Sequence, residues 1–344
     1  MSDSIVSSLN FATSQTYIYM GVPFIIGGVI GGLLNIIIFL SLQIYRQSSS
    51  AFYLTVVSII NIGQLLTGLL SYVLVNIVGI DWIESSVVLC KLRYTAFQAC
   101  GIISPTCLCL VTIDQFLAIS TRLRWQQWSN IKIAHRLLFA SITFWLLYGI
   151  PYLFYYNPTV SPFTKITSCI ITNAVYSKYN TTVHVPVFMF VLPLCITIIF
   201  GSLAYRSVRD LAHRTIPLVR RRHGIQLTVM VLVQIIFNAF ATTPVFITRI
   251  VVSNVSFSND PITAAQIRFA IALTTCIYYS YYAIPFYIYI CVSDRFRKQL
   301  RYVIIDMHLN RWRRIKRNDI VPQIQIVSSN EIKDATTKGI ELIQ

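Results

Sequence analysis

Seven long apolar stretches constrain this chain more than any other feature of its sequence. They cover residues 18–44, 51–79, 87–120, 133–156, 183–208, 225–252 and 264–292. A helix needs about 20 residues, at about 1.5 Å each, to cross the ~30 Å hydrocarbon core of a bilayer, and every stretch is longer than that. Only 12% of the residues are charged and 55% are hydrophobic, which leaves too little polar surface for a soluble globule of 344 residues. The sequence therefore predicts an all-α membrane protein, a seven-transmembrane helix bundle.

The distribution of basic residues predicts the orientation of this bundle. Of the 28 Lys and Arg residues, 22 lie in or beside the first, third and fifth gaps between the stretches or in the C-terminal tail. Because cytoplasmic loops carry an excess of positive charge, we expect the N-terminus outside and the C-terminus in the cytosol. A net charge of +16 is also compatible with nucleic-acid binding, but a soluble basic patch would not alternate from gap to gap. The predicted partner of this charge is the anionic lipid of the inner leaflet, with no nucleic acid.

The predicted organisation is a single membrane domain with two tails. Residues 1–17 lack a basic segment, and the first apolar stretch is too long for the core of a cleaved signal peptide. We therefore expect an extracellular tail over 1–17, a transmembrane domain over 18–305 and a cytoplasmic tail over 306–344.

Two of the eight cysteines lie on the predicted outer side. Cys90 begins the third stretch and Cys169 lies in the second outer loop, while the other six fall within stretches. Because disulfides persist in oxidising compartments, these two are expected to pair, the alternative being that both stay reduced. Two glycosylation sequons fall on the same side, at Asn180 and Asn254.

Several motifs in the stretches occur in the order and spacing of a known family. They are Gly31-Gly32-Leu33-Leu34-Asn35, Cys90 with Cys169, Asp114 in Thr112-Ile113-Asp114-Gln115-Phe116, Trp145, Pro193, Pro244, and Asp294-Arg295-Phe296-Arg297-Lys298-Gln299-Leu300 after the seventh stretch. Over residues 18–305 the chain resembles a rhodopsin-like (class A) G protein-coupled receptor. The resemblance implies a multi-pass plasma-membrane receptor without a cofactor, which binds an extracellular ligand and activates a heterotrimeric G protein. It also implies a short amphipathic helix after the seventh span.

The chain departs from the family pattern at its switch positions. The resemblance assigns switch or coupling roles to Asn35, Asn61, Asp114, Gln115, Phe116, Pro244, Pro285 and Tyr289. The family's Asp-Arg-Tyr triplet reads Asp114-Gln115-Phe116, and Gln115 has no guanidinium to present to a partner protein. We expect coupling that is weakened and not lost. Asn61 replaces the acid that helps to hold a sodium ion in the family, so no metal site is predicted.

Two sets of polar residues in the stretches have two interpretations each. Asp114 is either part of the activation switch or an interfacial acid that pairs with Arg122 or Arg124. Gln234, Asn238 and Thr242 share one face of the sixth stretch. Together with Asn35, Asn61, Gln64 and Ser104 they form either a polar relay or hydrogen bonds that merely join helices.

The expected ligand is a peptide and not a monoamine. Phe97 stands where amine receptors of this family place an aspartate, so a cationic amine has no buried counter-ion. The outer ends of the stretches instead offer basic and aromatic residues, namely Arg93, Phe97, Gln98, Phe246, Arg249, Arg268, Tyr278 and Tyr279. Such a mouth suits a peptide with a carboxylate or acidic side chain, or another anionic ligand. Alternatively, these residues only anchor helix ends at the membrane interface.

Enzymatic functions find no support in the motifs of the chain. It contains no glycine-rich phosphate loop, zinc-protease motif or nucleophile elbow. A channel or transporter is the alternative from another class, against which stand the missing internal repeat and the scarcity of charge in the stretches. A third possibility is a seven-helix binding protein that no longer signals.

Overall fold

The computed structural model describes residues 2–78, 86–120, 122–160, 167–212, 219–254 and 261–309. Seven of its helices are long and apolar enough to cross a membrane, which confirms the predicted seven-helix bundle. Spans one to seven are Asp3–Ser41, Ser49–Ile77, Val87–Ile119, Ile131–Tyr155, Ala174–Asp210, Gln226–Val252 and Pro261–Ala283.

Several spans consist of more than one helical segment. The α-helices are Ser2–Ser41, Gln43–Arg46, Ser49–Gln64, Leu70–Val78, Val87–Ile119, Leu123–Gln126, Ile131–Tyr148, Ile150–Tyr155, Ala174–Tyr179, Leu192–Ala212, Val219–Asn254, Pro261–Ala283, Pro285–Val292 and Asp294–Arg301. Segments with π-helical hydrogen bonding occupy Leu65–Leu69, Asn180–Val191 and Tyr302–Leu309.

The first helix is longer than the first apolar stretch. It runs from Ser2 to Ser41 without a break at residue 17, where we expected a tail to end. Its 40 residues measure about 60 Å, twice the thickness of the hydrocarbon core. The sequence pattern missed the first turns because hydropathy marks the part of a helix that contacts lipid and not the helix itself.

Glycines allow span one to pack closely against spans two and seven. A Cβ atom at Gly28 would lie 2.4 Å from Leu65 Cδ1 and 2.9 Å from Ala283 Cα, and one at Gly32 would lie 2.8 Å from Ile62 Cγ1. Small residues at such contacts are how membrane helices gain dispersion energy, since lipid competes equally well for apolar side chains. The Gly31-Gly32 motif thus fixes how deeply span one sits in the bundle.

Proline separates span seven from the helix that follows it. Span seven ends at Ala283, Ile284 lies between the helices, and a second helix begins at Pro285. Proline has no N–H to donate to the preceding turn, so the first position of a new helix is where it fits best. Pro244, in contrast, lies inside the continuous helix Val219–Asn254.

A short hairpin and a disulfide mark one end of the bundle. Strand β1, Tyr156–Val160, pairs antiparallel with strand β2, Thr167–Ile171, with Pro158 opposite Cys169. Cys169 is bonded to Cys90 in the first turn of span three, as predicted. We call this the disulfide end of the bundle, and the other the opposite end.

The chain divides into two compact units, Met1–Asp294 and Arg295–Gln344. The second unit begins within the helix Asp294–Arg301, which is the predicted short helix after the seventh span. Phe296 is buried while Arg297 and Lys298 are exposed, so the helix is amphipathic as expected. The cytoplasmic tail predicted over 306–344 lies outside the described residues from 310 onward.

Candidate functional site

A cavity of about 250 Å³ opens between five spans and the hairpin at the disulfide end. Half of the lining residues are aromatic, and Phe190 and Phe246 among them are stacked with ring centroids 4.0 Å apart. The lining residues are Tyr72, Tyr94, Phe97, Gln98, Tyr156, Asn180, Val185, Met189, Phe190, Thr242, Val245, Phe246, Arg249, Thr275, Tyr278 and Tyr279. Six of the eight residues predicted to bind ligand are therefore brought together here, namely Phe97, Gln98, Phe246, Arg249, Tyr278 and Tyr279.

Arg249 contributes a full positive charge at this cavity. Among the described lining residues it is the only one that is charged at neutral pH. No carboxylate of the described part of the chain forms an ion pair with it. The Arg249 side chain is exposed, so its guanidinium is accessible to an anionic group that enters the cavity.

The other two predicted basic residues lie elsewhere. Arg93 is not among the lining residues; its Nε donates to the Thr67 carbonyl oxygen at 3.1 Å, and its guanidinium lies 5.0 Å from the Tyr94 ring centroid. Thr67 belongs to the π-helical segment of span two. Arg268 is exposed and does not line the cavity either. The sequence could not separate these three arginines, since helix rotation decides which of them faces inward.

A buried histidine that sequence reasoning missed supports one wall of the cavity. His184 is fully buried, its Nε2 contacts the Gln98 amide nitrogen, and its Nδ1 lies 2.8 Å from the Tyr148 hydroxyl oxygen. The Tyr148 hydroxyl also lies 2.7 Å from the Tyr179 hydroxyl, which extends this series of hydrogen bonds. His184 lies well inside span five, because that helix begins nine residues before the apolar stretch.

Two lining residues come from the hairpin and the start of span five. Burial raises the pKa of the Tyr156 hydroxyl to about 12, with nearby Tyr176 and Tyr72 adding to the effect and Arg249 opposing it, so the phenol is neutral at physiological pH. Asn180 accepts a hydrogen bond from the Tyr152 hydroxyl at 2.5 Å and is partly buried. The side chain of Asn254 lies outside the described residues, and glycosylation at both sites remains a prediction.

At the opposite end, Asp114 is held by serine hydroxyls. It is 6% exposed and accepts hydrogen bonds from Ser49, at 2.8 and 2.7 Å, from Ser129 at 2.8 Å and from Ser50. These are all its hydrogen-bond partners among the described residues. Asp114 therefore does not form the alternative ion pair with Arg122 or Arg124. The arrangement joins span three to the start of span two and to the segment before span four.

Two hydrogen bonds link spans three, six and the helix after span seven near the same end. Thr228 of span six donates to the Gln115 amide oxygen, and Gln115 is 2% exposed. Tyr289 donates to the Gln234 amide oxygen at 2.5 Å. Phe116, the third residue of the altered triplet, packs edge-on against Trp125 with ring centroids 5.2 Å apart. Each predicted switch residue named here therefore lies at a contact between elements.

The remaining polar side chains do not form one continuous relay. Ser104 donates to the Asn61 amide oxygen at 2.6 Å, and the Thr242 hydroxyl donates to the backbone oxygen of Asn238. The amide oxygen of Asn35 and both polar side-chain atoms of Gln64 and Asn238 are buried without a hydrogen-bond partner among the described residues. The Ser104–Asn61 bond joins spans three and two, whereas the Thr242–Asn238 bond lies within span six, so these contacts match helix joining better than a relay. No group of three or more His, Cys, Asp and Glu residues in the described part of the chain could hold a metal ion.

Comparison with known proteins identifies the family. The model of the family described as 7 transmembrane receptor (rhodopsin family) matches residues 32–284, most of the chain. The chain therefore belongs to the rhodopsin family of seven-transmembrane receptors, which makes it a multi-pass plasma-membrane receptor. Receptors of this family respond to extracellular ligands and signal through G proteins. A search of curated proteins found no match.

Proposed function

We propose that this protein is a receptor for an extracellular peptide with a carboxylate or acidic side chain, and that it activates a heterotrimeric G protein. The observation that carries the proposal is the cavity at the disulfide end, with its aromatic residues and, among the described lining residues, the cation of Arg249. Phe97, where amine receptors of the family have an acid, argues against a monoamine.

The proposal places the disulfide end outside the cell and the C-terminus in the cytosol. Two observations support this orientation: the Cys90–Cys169 bond needs an oxidising compartment, and 22 of the 28 basic residues lie in the alternate gaps and the tail. The amphipathic helix Asp294–Arg301 would then lie at the inner leaflet, where its basic residues favour anionic lipid.

A library screen tests ligand class and coupling together. Cells expressing the full chain are exposed to synthetic peptides and to monoamines, with second-messenger readout, and active compounds are then tested for nucleotide exchange on purified heterotrimers. We expect activity among peptides that carry a carboxylate and none among monoamines. An ion conductance without any G protein would support a channel, and binding without nucleotide exchange would support a non-signalling binding protein.

Two phenylalanines of span six provide a matched pair of variants for that screen. Phe246 lines the cavity, whereas Phe240 is 74% exposed on the outer surface of the bundle. Phe246→Ala should raise the half-maximal concentration of an active peptide by about tenfold or more, because burying an aromatic side chain is worth about 1.5–3 kcal/mol. Phe240→Ala should leave it unchanged. Equal effects of the two variants would place the ligand elsewhere.

A further inference from the structure

We infer that the cavity at the disulfide end receives the free carboxyl-terminal residue of a peptide, with its carboxylate on Arg249 and an apolar last side chain against the aromatic wall. This inference rests on the proposed peptide-receptor function and narrows it. It specifies which part of the peptide enters the bundle and what chemical form that part has.

The guanidinium of Arg249 provides a binding group for an anion at the cavity. Arg249 lines the cavity and has no carboxylate partner among the described residues, whereas Arg93 is held by the Thr67 carbonyl oxygen and the Tyr94 ring. A guanidinium binds a carboxylate through two parallel N–H···O bonds, a geometry that a neutral amide cannot reproduce. The site therefore distinguishes a terminal carboxylate from a terminal amide.

The wall beside Arg249 fits an apolar side chain. Phe246 is one helical turn from Arg249 and stacks on Phe190 of span five at 4.0 Å. Tyr278 and Tyr279 of span seven lie edge-on to each other at 5.5 Å, and the Tyr278 hydroxyl is already paired with that of Tyr282 at 2.5 Å. An aromatic or large aliphatic side chain would find ring faces and edges here.

The size of the cavity favours a chain end over an internal residue. At about 250 Å³ it lies below the range of about 300–1,000 Å³ that drug-sized ligands occupy. An internal Asp or Glu would bring two backbone segments through the opening, and each would need hydrogen bonds for its amide groups. Two of the lining amides, Gln98 and Asn180, already contact His184 and Tyr152. A terminal residue brings only one backbone segment and places the carboxylate beside the side chain.

Binding of matched short peptides to the purified full-length receptor tests this inference. The probes are Ac-Ala-Ala-Phe as the free acid and as the amide, Ac-Ala-Ala-Lys as the free acid, and decanoate as a carboxylate without a peptide. Affinities are taken from the rise of the thermal unfolding midpoint in detergent with probe concentration. We expect the Phe acid to bind about tenfold or more tightly than its amide, since a hydrogen bond to a charged group is worth more than a neutral one. The Lys acid and decanoate should both bind more weakly than the Phe acid.

Variants at one end of the bundle assign that preference to a residue. Arg249→Gln should reduce the affinity of the Phe acid to that of the amide, while Arg249→Lys, which keeps the charge, should retain part of the preference. Lys178→Gln, at an exposed basic residue of span five that does not line the cavity, should change nothing. If Arg249→Gln does not fold, the affinities of the acid and the amide for the parent and for Arg249→Lys still show whether Arg249 causes the preference for the acid.

The inference is overturned if the amide binds as tightly as the acid, if Arg249→Gln keeps the preference, if decanoate equals the peptide, or if none of the probes binds up to its solubility limit. These results are distinct from failure of the proposed function. Amidated peptides that stimulate nucleotide exchange would leave the peptide receptor intact and remove only the carboxyl-terminal site. Acid-selective binding without nucleotide exchange would keep the site and remove the coupling.

Discussion

Gln115, which stands where the family has an arginine, is the clearest departure of this chain from the family pattern, and its side chain forms a hydrogen bond. Its amide oxygen accepts the Thr228 hydroxyl, so one neutral hydrogen bond joins spans three and six where the family has an arginine. Any conformation that separates these spans loses the bond. We therefore expect Gln115 and Thr228 to favour the closed arrangement of the opposite end.

Replacing Thr228 with Val tests whether the hydrogen bond to Gln115 favours the closed arrangement. The substitution keeps the shape of the side chain and removes the donor, leaving the buried Gln115 oxygen unpaired. Because a neutral hydrogen bond contributes about 1 kcal/mol, the open population and with it ligand-independent nucleotide exchange should rise about fivefold. Thr228→Ser keeps the hydroxyl and should resemble the parent. Unchanged exchange in Thr228→Val would mean that the bond does not restrain the open state.

At the scale of elements, the contact of span one with spans two and seven depends on the absence of side chains. A methyl group at Gly28 would meet Leu65 at 2.4 Å and the Ala283 backbone at 2.9 Å. Leu65 could change rotamer, but the Ala283 backbone cannot move without shifting the helix. The elements are thus closer together than any other residue at position 28 would permit.

Gly28→Ala should therefore lower stability even though alanine is the better helix former. We expect a loss of about 1–3 kcal/mol, the usual cost of overpacking, against a gain of up to about 1 kcal/mol in helix propensity. Thermal unfolding of the purified protein in detergent measures the difference. Gly201→Ala is the control, since its Cβ would lie 3.4 Å from Leu232 Cδ2, an ordinary contact. Equal midpoints for the two variants would show that span one can shift at little cost.

For the whole molecule, the disulfide connects the fold to the cavity. Cys169 lies on β2, whose partner strand β1 begins with Tyr156, a residue of the cavity wall. The bond closes a loop across a sequence separation of 79. Loss of the bond would release the hairpin and one wall of the site together.

The double variant Cys90→Ala, Cys169→Ala should lower both stability and ligand binding. Chain-entropy arguments for a loop of this length give up to about 4 kcal/mol. Thermal unfolding and binding of the Phe-ended peptide acid measure the two effects. Cys195→Ala, which removes an exposed free thiol, should affect neither. Retained binding in the double variant would indicate that the hairpin holds its place without the bond.

Much of this protein is determined by the sequence itself, because hydropathy and charge act locally along the chain. The seven spans, the disulfide and the family could be predicted, as could six of the sixteen residues that line the cavity. The relative rotation of the helices could not, since packing between helices sets it and no single stretch encodes it. Only the tertiary structure placed Arg249 at the cavity and Arg93 against a carbonyl, surrounded Asp114 with serines, and buried His184 behind Gln98.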